Sequence, residues 1–205
     1  MNPWYWAGYT FSKIIGRIFF RYRVLHRERM IETGPAILAM NHQSYLDPPL
    51  AGGASKRPIY YLARKTLLDI PLLGPILPKL NVIPVDQDNA DRNALKALLL
   101  ILKRGEGALV FPEGSRTPDG KLQPALPGLG FLIAKTLAPV VPMRIFGAHE
   151  ALPRGGGRLR FHRITVVVGH PIYFTAAEVA GGGKELYQKL SERVMAEIAK
   201  LQIDE

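Results

Sequence analysis

Short apolar runs that stop abruptly at polar residues alternate along this chain with longer stretches whose apolar residues recur at helical spacing. Ala36 to Met40 is such a run, entered through Gly34 and Pro35 and ended by Asn41 and His42, which predicts a buried strand delivering a polar turn. Val82 to Val85, Ala108 to Phe111, Pro139 to Ile145 and the β-branched segment Ile164 to Val168 read as further strands. Among the longer stretches, Asp88 to Arg104 carries Leu95, Leu98, Leu99 and Leu102 and closes on Gly105, a helix with its stop signal in place. Leu129 to Leu137 is a second helix. Leu186, Leu190, Val194, Ile198 and Leu201 mark a final amphipathic one. Strands alternating with helices predict an α/β sandwich, in which polar loops at strand ends supply the site. No internal repeat or linker interrupts the chain, and the glycines at 155–157 and 181–183 read as loop tips.

The first 22 residues are dense in aromatics (Trp4, Tyr5, Trp6, Tyr9, Phe11, Phe19, Phe20), but Lys13, Arg17 and Arg21 break the run well short of the roughly 20 apolar residues a bilayer-spanning helix needs. On a helix those cations form one stripe, while Phe11, Ile15, Ile18 and Tyr22 fall on another face. The pattern predicts a helix lying in a membrane interface, with tryptophans at headgroup level and cations facing anionic lipid. An amphipathic helix packed on the chain's own core is the alternative. No small-residue cleavage site follows, so a removable signal peptide is not expected.

Composition narrows the chemistry. With 205 residues and 47% hydrophobic content, a single packed domain is expected. The absence of cysteine removes disulfides, thiolate ligands and thiolate nucleophiles. A net charge of +10 favours anionic partners: lipid, acidic carrier proteins or nucleic acid. Nucleic acid is not expected, since no nucleic-acid module is present. His26, His149, His162 and His170 have no second ligand at metal spacing, and no metal site is expected.

The segment Asn41-His42-Gln43-Ser44-Tyr45-Leu46-Asp47 sets a histidine at a strand end with a carboxylate just beyond it. If the turn opens a helix, the two can meet, and a carboxylate that fixes the tautomer lets the other ring nitrogen remove a proton. The spacing alone arises readily by chance. Ser44-x-x-Asp47 also reads as a capping box in which the carboxylate simply satisfies backbone donors. A second block, Phe111-Pro112-Glu113-Gly114-Ser115-Arg116-Thr117, offers backbone donors, a carboxylate and a guanidinium suited to phosphate. Read blandly it is a surface turn, as Thr117-Pro118-Asp119-Gly120 beside it plainly is. Ser44 lacks the Gly-x-Ser-x-Gly elbow of a serine nucleophile.

Taken together, the two blocks resemble those of the glycerolipid acyltransferase family, the group of 1-acylglycerol-3-phosphate acyltransferases. Gly34 to Leu38, Arg64-Lys65 with Pro71 to Gly74, and Val141-Pro142-Met143 extend the likeness over roughly Ile31 to Val168. The resemblance implies a mixed central β-sheet flanked by helices, preceded by the amphipathic interfacial helix: residues 1–23 as a membrane-surface helix, residues 24–205 as the acyltransferase domain. It implies His42 as base and Asp47 as its partner. Asn41, Glu113, Gly114, Ser115, Arg116 and Lys65 would bind substrate, with Arg116 and Lys65 as phosphate ligands. No cofactor is implied; acyl-carrier protein or coenzyme A thioesters serve as donors, a lysophospholipid as acceptor, and the cytoplasmic face of a membrane as the location, held peripherally or monotopically.

The chemistry agrees with a base and no nucleophile. A thiol with pKa near about 8.5 leaves as thiolate unaided, so the acceptor hydroxyl attacks directly while His42 takes its proton. The sn-2 hydroxyl of 1-acylglycerol 3-phosphate is the expected acceptor and phosphatidic acid the product. One departure bears on the acceptor: Gln87 stands where the family's second block usually ends in arginine, and a neutral amide brings phosphate no charge. Arg92, one or two helical turns on, is the candidate to restore one. Another lysolipid, such as a lyso-ornithine lipid, is the near alternative; a non-catalytic membrane-surface protein is the alternative of another class.

Overall fold

The computed structural model describes residues 3–72, 74–85 and 90–203. Its centre is a seven-stranded sheet in the order β1-β7-β6-β2-β5-β3-β4. The strands are β1 (Arg23–Leu25), β2 (Ala36–Met40), β3 (Ile59–Arg64), β4 (Val82–Val85), β5 (Gly107–Val110), β6 (Val140–Phe146) and β7 (Thr165–Val168). Pairs β2–β5, β2–β6, β3–β5, β3–β4 and β1–β7 are parallel, whereas β6–β7 is antiparallel, so the sheet is mixed as expected. Strand β2 sits centrally and all five residues are buried, because both of its faces are covered.

Alternate residues of β2 feed two cores. Leu38 and Met40 meet Leu50 and Ala51 of α2 (Asp47–Ala54) together with Tyr5 and Phe20 of α1 (Pro3–Phe20). Ile37 and Ala39 face the other layer. There Leu98 and Leu102 of α3 (Ala90–Lys103), Leu129 and Leu132 of α4 (Gly128–Thr136), and Leu190 and Val194 of α6 (Lys184–Lys200) close the core. A single helical turn, α5 (Ala148–Ala151), follows β6. Gly105, at φ 81, ends α3 where the sequence predicts the stop.

Strands β1 and β3 and helix α2 are not among the sequence expectations. The α2 segment, Asp-Pro-Pro-Leu-Ala-Gly-Gly-Ala, has two prolines and two glycines, a composition that argues against a helix. Its prolines fall in the first turn, where the missing N–H groups have no intrahelical partner to lose. Its glycines allow close packing: a Cβ on Gly52 would lie 2.0 Å from the Tyr61 hydroxyl.

Helix α1 is at once a core helix and an exposed apolar surface. Tyr5 accepts from the Ile59 N–H at 3.1 Å and lies 3.2 Å from the Tyr61 hydroxyl, so one face is fixed to the sheet. Trp4, Phe11, Ile14 and Ile18 are exposed on the opposite face. This corrects the expected stripe. Ile15 packs against the core, and Tyr22 lies beyond the helix end with its hydroxyl donating to the Leu50 carbonyl at 2.6 Å. No helix among the described residues is long and apolar enough to cross a membrane.

Helices α4 and α6 touch backbone to backbone at Gly130, where an added Cβ would stand 1.9 Å from the Tyr187 carbonyl oxygen, and the Gly130 N–H donates to Ser191 Oγ at 2.8 Å. The Gly130→Ala variant is therefore expected to lose about 3 kcal/mol of stability, read as a lower urea midpoint.

Candidate active site

Parallel pairing of β2, β5 and β3 brings their carboxyl ends to one edge of the sheet, where loops can converge. At the end of β2, Asn41 is buried with both ends of its amide engaged: Nδ2 donates to the Ile145 carbonyl at 3.1 Å and Oδ1 accepts from the Ile145 N–H at 2.8 Å. This clamp continues the β2–β6 pairing past Met40 by side chain, and it fixes where the following histidine leaves the sheet. Asn41 thus faces β6, not the open side of the site.

The 42–47 turn is organised by one oxygen. Asp47 Oδ2 accepts from the Gln43 N–H at 2.6 Å and the Ser44 N–H at 2.7 Å, and it lies 2.7 Å from His42 Nδ1. The carboxylate has no solvent exposure, and its other oxygen, Oδ1, has no partner among the described residues. Both readings of the segment hold at once, since the carboxylate satisfies backbone donors at a helix start and also meets the imidazole. Because an ionised carboxylate only accepts, the partner assigns the proton to Nδ1 and leaves Nε2 as the basic nitrogen. The His42 side chain is 17% exposed, enough for that nitrogen to be reached.

The second block closes on the first. The His42 ring stacks on Phe111, with centroids 3.8 Å apart and planes 12° from parallel, and the Thr117 N–H donates to the His42 carbonyl at 2.8 Å. Between these anchors the chain turns through Pro112 and Glu113. Gly114 takes φ 69, and a Cβ there would lie 2.5 Å from Leu126 Cδ1. The Gly114 N–H donates to the Phe111 carbonyl at 3.0 Å, so it serves the turn and is not one of the free backbone donors expected at this position. Ser115 is exposed on the same turn.

Glu113 is 6% exposed, and neither carboxylate oxygen has a hydrogen-bond partner among the described residues. Burial pushes its carboxyl from 4.5 up to about 7. The backbone N–H groups of His42 and Gln123 oppose that shift, and the nearby Asp47 charge adds to it. The Arg116 guanidinium lies 3.6 Å over the Tyr45 ring, and its buried Nη1 has no partner among the described residues. A carboxyl and a guanidinium nitrogen that are both buried and unsatisfied by the described residues are candidates to meet a polar ligand.

Lys65 begins a 3-10 turn directly after β3, on the same sheet edge, but it is exposed and its side chain has no hydrogen bond or ion pair with any described residue. Gln87 lies outside the described residues, and so does the side chain of Arg92. Three neighbours of the site were not legible in the sequence as such. Phe111 and Tyr45 lie within the two motifs, yet their ring contacts depend on the loops being brought together. Gln43 joins two other loops, its amide donating to the Gly120 carbonyl at 3.1 Å and accepting from the His149 N–H at 3.3 Å.

A model of the Acyltransferase family matches residues 21–146, more than half of the chain. A chloroplastic 1-acyl-sn-glycerol-3-phosphate acyltransferase of Brassica napus is 31% identical over 150 residues, covering 71% of this chain and 43% of the relative. The Bacillus subtilis 1-acyl-sn-glycerol-3-phosphate acyltransferase is 26% identical over 152 residues, 74% of this chain and 73% of that one. The chain thus spans less than half the length of the plant relative. A crystal structure of the 1-acyl-sn-glycerophosphate acyltransferase of Thermotoga maritima superposes with a TM-score of 0.75 at 25% identity, covering 97% of this chain and 80% of that one.

Glu113 carries a pH signature. Its carboxyl titrates higher in the folded chain than in the unfolded one, so between 4.5 and about 7 the folded state holds the extra proton and stability falls as pH rises through that window. The Glu113→Gln variant is expected to show a flatter dependence there and a higher urea midpoint than wild type at pH 8, and a parallel pH profile in the two proteins would contradict this assignment.

Proposed function

The chain belongs to the acyltransferase family, and from that premise we propose that it moves a fatty acyl group from a thioester donor to the sn-2 hydroxyl of 1-acylglycerol 3-phosphate, giving phosphatidic acid. The observation that carries this reading is the 2.7 Å pair of His42 Nδ1 and Asp47 Oδ2, with the Glu113 to Arg116 turn joined to the same backbone through Thr117.

His42 Nε2 removes the hydroxyl proton as the alcohol oxygen attacks the thioester carbonyl carbon. Asp47 holds the ring in its working tautomer and stabilises the imidazolium that forms. Collapse of the tetrahedral intermediate breaks the carbon–sulfur bond, and the thiolate leaves, taking up the proton from the imidazolium. No acyl-enzyme is needed. Asn41 positions His42 through β6. The Arg116 guanidinium, held over the Tyr45 ring, binds the acceptor's phosphate, and Lys65 adds charge from the neighbouring strand end. Glu113, titrating near neutrality, hydrogen-bonds the glycerol part of the acceptor. The donor is an acyl-carrier protein or coenzyme A thioester. The exposed apolar face of α1 rests on the cytoplasmic side of a membrane, where the lipid acceptor resides.

The His42→Ala variant is expected to fold normally and to lose about 10²- to 10⁴-fold in turnover, measured with a labelled acyl thioester and 1-acylglycerol 3-phosphate; near-normal turnover would refute the proposal. Gln87 supports a second reading with another lysolipid acceptor, because it removes a charge that phosphate recognition commonly uses. A panel of lysolipid acceptors separates the two: phosphatidic acid synthesis predicts preference for the phosphomonoester, raised further by Gln87→Arg. Vesicle binding without turnover for any pair of donor and acceptor would instead identify a non-catalytic membrane-surface protein.

A further inference from the structure

A cavity of about 550 Å³, lined by none of the candidate site residues, opens where α1, β1 and α2 meet. Five cations line it: Lys13 and Arg17 from α1, Arg21 from the bend after it, Arg23 from β1, and Arg27 beyond. No carboxylate lines it, and none of the five is ion-paired with a described residue. Cations held around one concavity without a counter-ion repel one another and build a positive potential that an entering anion relieves.

The local structure maintains this arrangement. Arg27 donates to the Ala54 and Ser55 carbonyls and to the Tyr9 hydroxyl, and Arg23 Nε donates to Thr165 Oγ1 at 3.1 Å, so two guanidinium groups are fixed in the wall. The side chains of Arg17 and Arg21 make no hydrogen bond with any described residue. Arg21 also has φ 44, the left-handed conformation in which a helix end ordinarily favours glycine. Cations in a last helical turn are favoured by the helix dipole, which accounts for Arg17 and not for the convergence of cations from three further segments.

We propose that this cavity is a second anion site, which receives the phosphate of an anionic membrane phospholipid. The lipid source follows from the surface beside it. On the helical wheel Arg17 borders the exposed stripe of Trp4, Phe11, Ile14 and Ile18, with Lys13 further round toward α2, and the exposed Phe161 stacks on Phe19 at 5.4 Å to widen that apolar face. With the apolar face among acyl chains, Arg17 and the cavity behind it stand at phosphate depth. The site rests on the membrane seating of α1 proposed above and not on the catalytic reading.

The test measures partition of the full chain onto phosphatidylcholine vesicles with and without phosphatidylglycerol. The Arg17→Gln/Arg21→Gln variant is expected to lose about tenfold or more of its binding to the anionic vesicles, on the basis of roughly 1 kcal/mol per surface cation. Its binding to neutral vesicles should stay nearly unchanged. Lys103→Gln/Lys135→Gln removes the same charge from exposed positions of the opposite layer and should lose less than about twofold at that distance. Arg21→Gly, which removes the charge and relieves the backbone, guards against a folding artefact: it should keep the wild-type Tm or exceed it and still bind anionic vesicles more weakly. Equal losses in the two double variants would show diffuse charge and overturn the site. If inorganic phosphate or glycerol 3-phosphate at millimolar concentration raises the Tm of the wild type and not of Arg17→Gln/Arg21→Gln while vesicle binding is unaffected, the site takes free phosphate and the lipid assignment is overturned.

Discussion

Asp47 Oδ2 gathers two backbone N–H groups and an imidazole within 2.7 Å, in a position closed to solvent. A carboxylate without such partners would be costly to bury, by several kcal/mol. Charge-assisted hydrogen bonds, worth about 1.5–3 kcal/mol each, offset that cost only while the 42–47 turn keeps its shape. The backbone turn, the start of α2 and the direction of the His42 ring are therefore one arrangement. Geometry that first satisfies a helix start also leaves Nε2 as the free nitrogen of the ring.

The sheet supplies the second constraint. Asn41 extends the contact with β6 past the last strand residue, and Thr117 ties the loop after β5 to the backbone of His42. The histidine is held from both sides of its own strand, with Phe111 behind its ring. Against this rigid frame, Glu113 and Arg116 are conspicuous for polar atoms that nothing in the described chain satisfies. An acid near neutrality and a guanidinium held over an aromatic ring are the two groups on which the proposed contact with a hydroxylated, phosphorylated acceptor rests.

Helix α1 relates that site to its surroundings. Its inner face belongs to the core through Tyr5 and Phe20, so the outer face has a fixed orientation relative to the sheet. In the proposed membrane seating, an apolar surface on a rigidly docked helix would set the chain at one angle to the lipid, whereas a loosely tethered helix would not.

Periodicity and strand edges determined β2, β4, β5, β6, β7 and four of the six helices, because each carries a local pattern of length and spacing. The resemblance carried by the two motifs pointed to His42 with Asp47 and singled out Glu113 and Arg116, and the first two stand 2.7 Å apart. Tertiary structure alone decided the rest. Helix α2 forms despite its prolines and glycines because the prolines fall in the first turn and Gly52 packs against Tyr61. The short β1 and aromatic β3 exist through their neighbours in the sheet. Asn41 turned to β6, the Gly114 N–H turned inward to its own turn, Phe111 stacked on His42, and cations from separate segments gathered around one cavity. The Asn41 and Phe111 contacts join residues far apart in the chain, and a local pattern of polar and apolar positions carries no record of which distant residue will stand opposite.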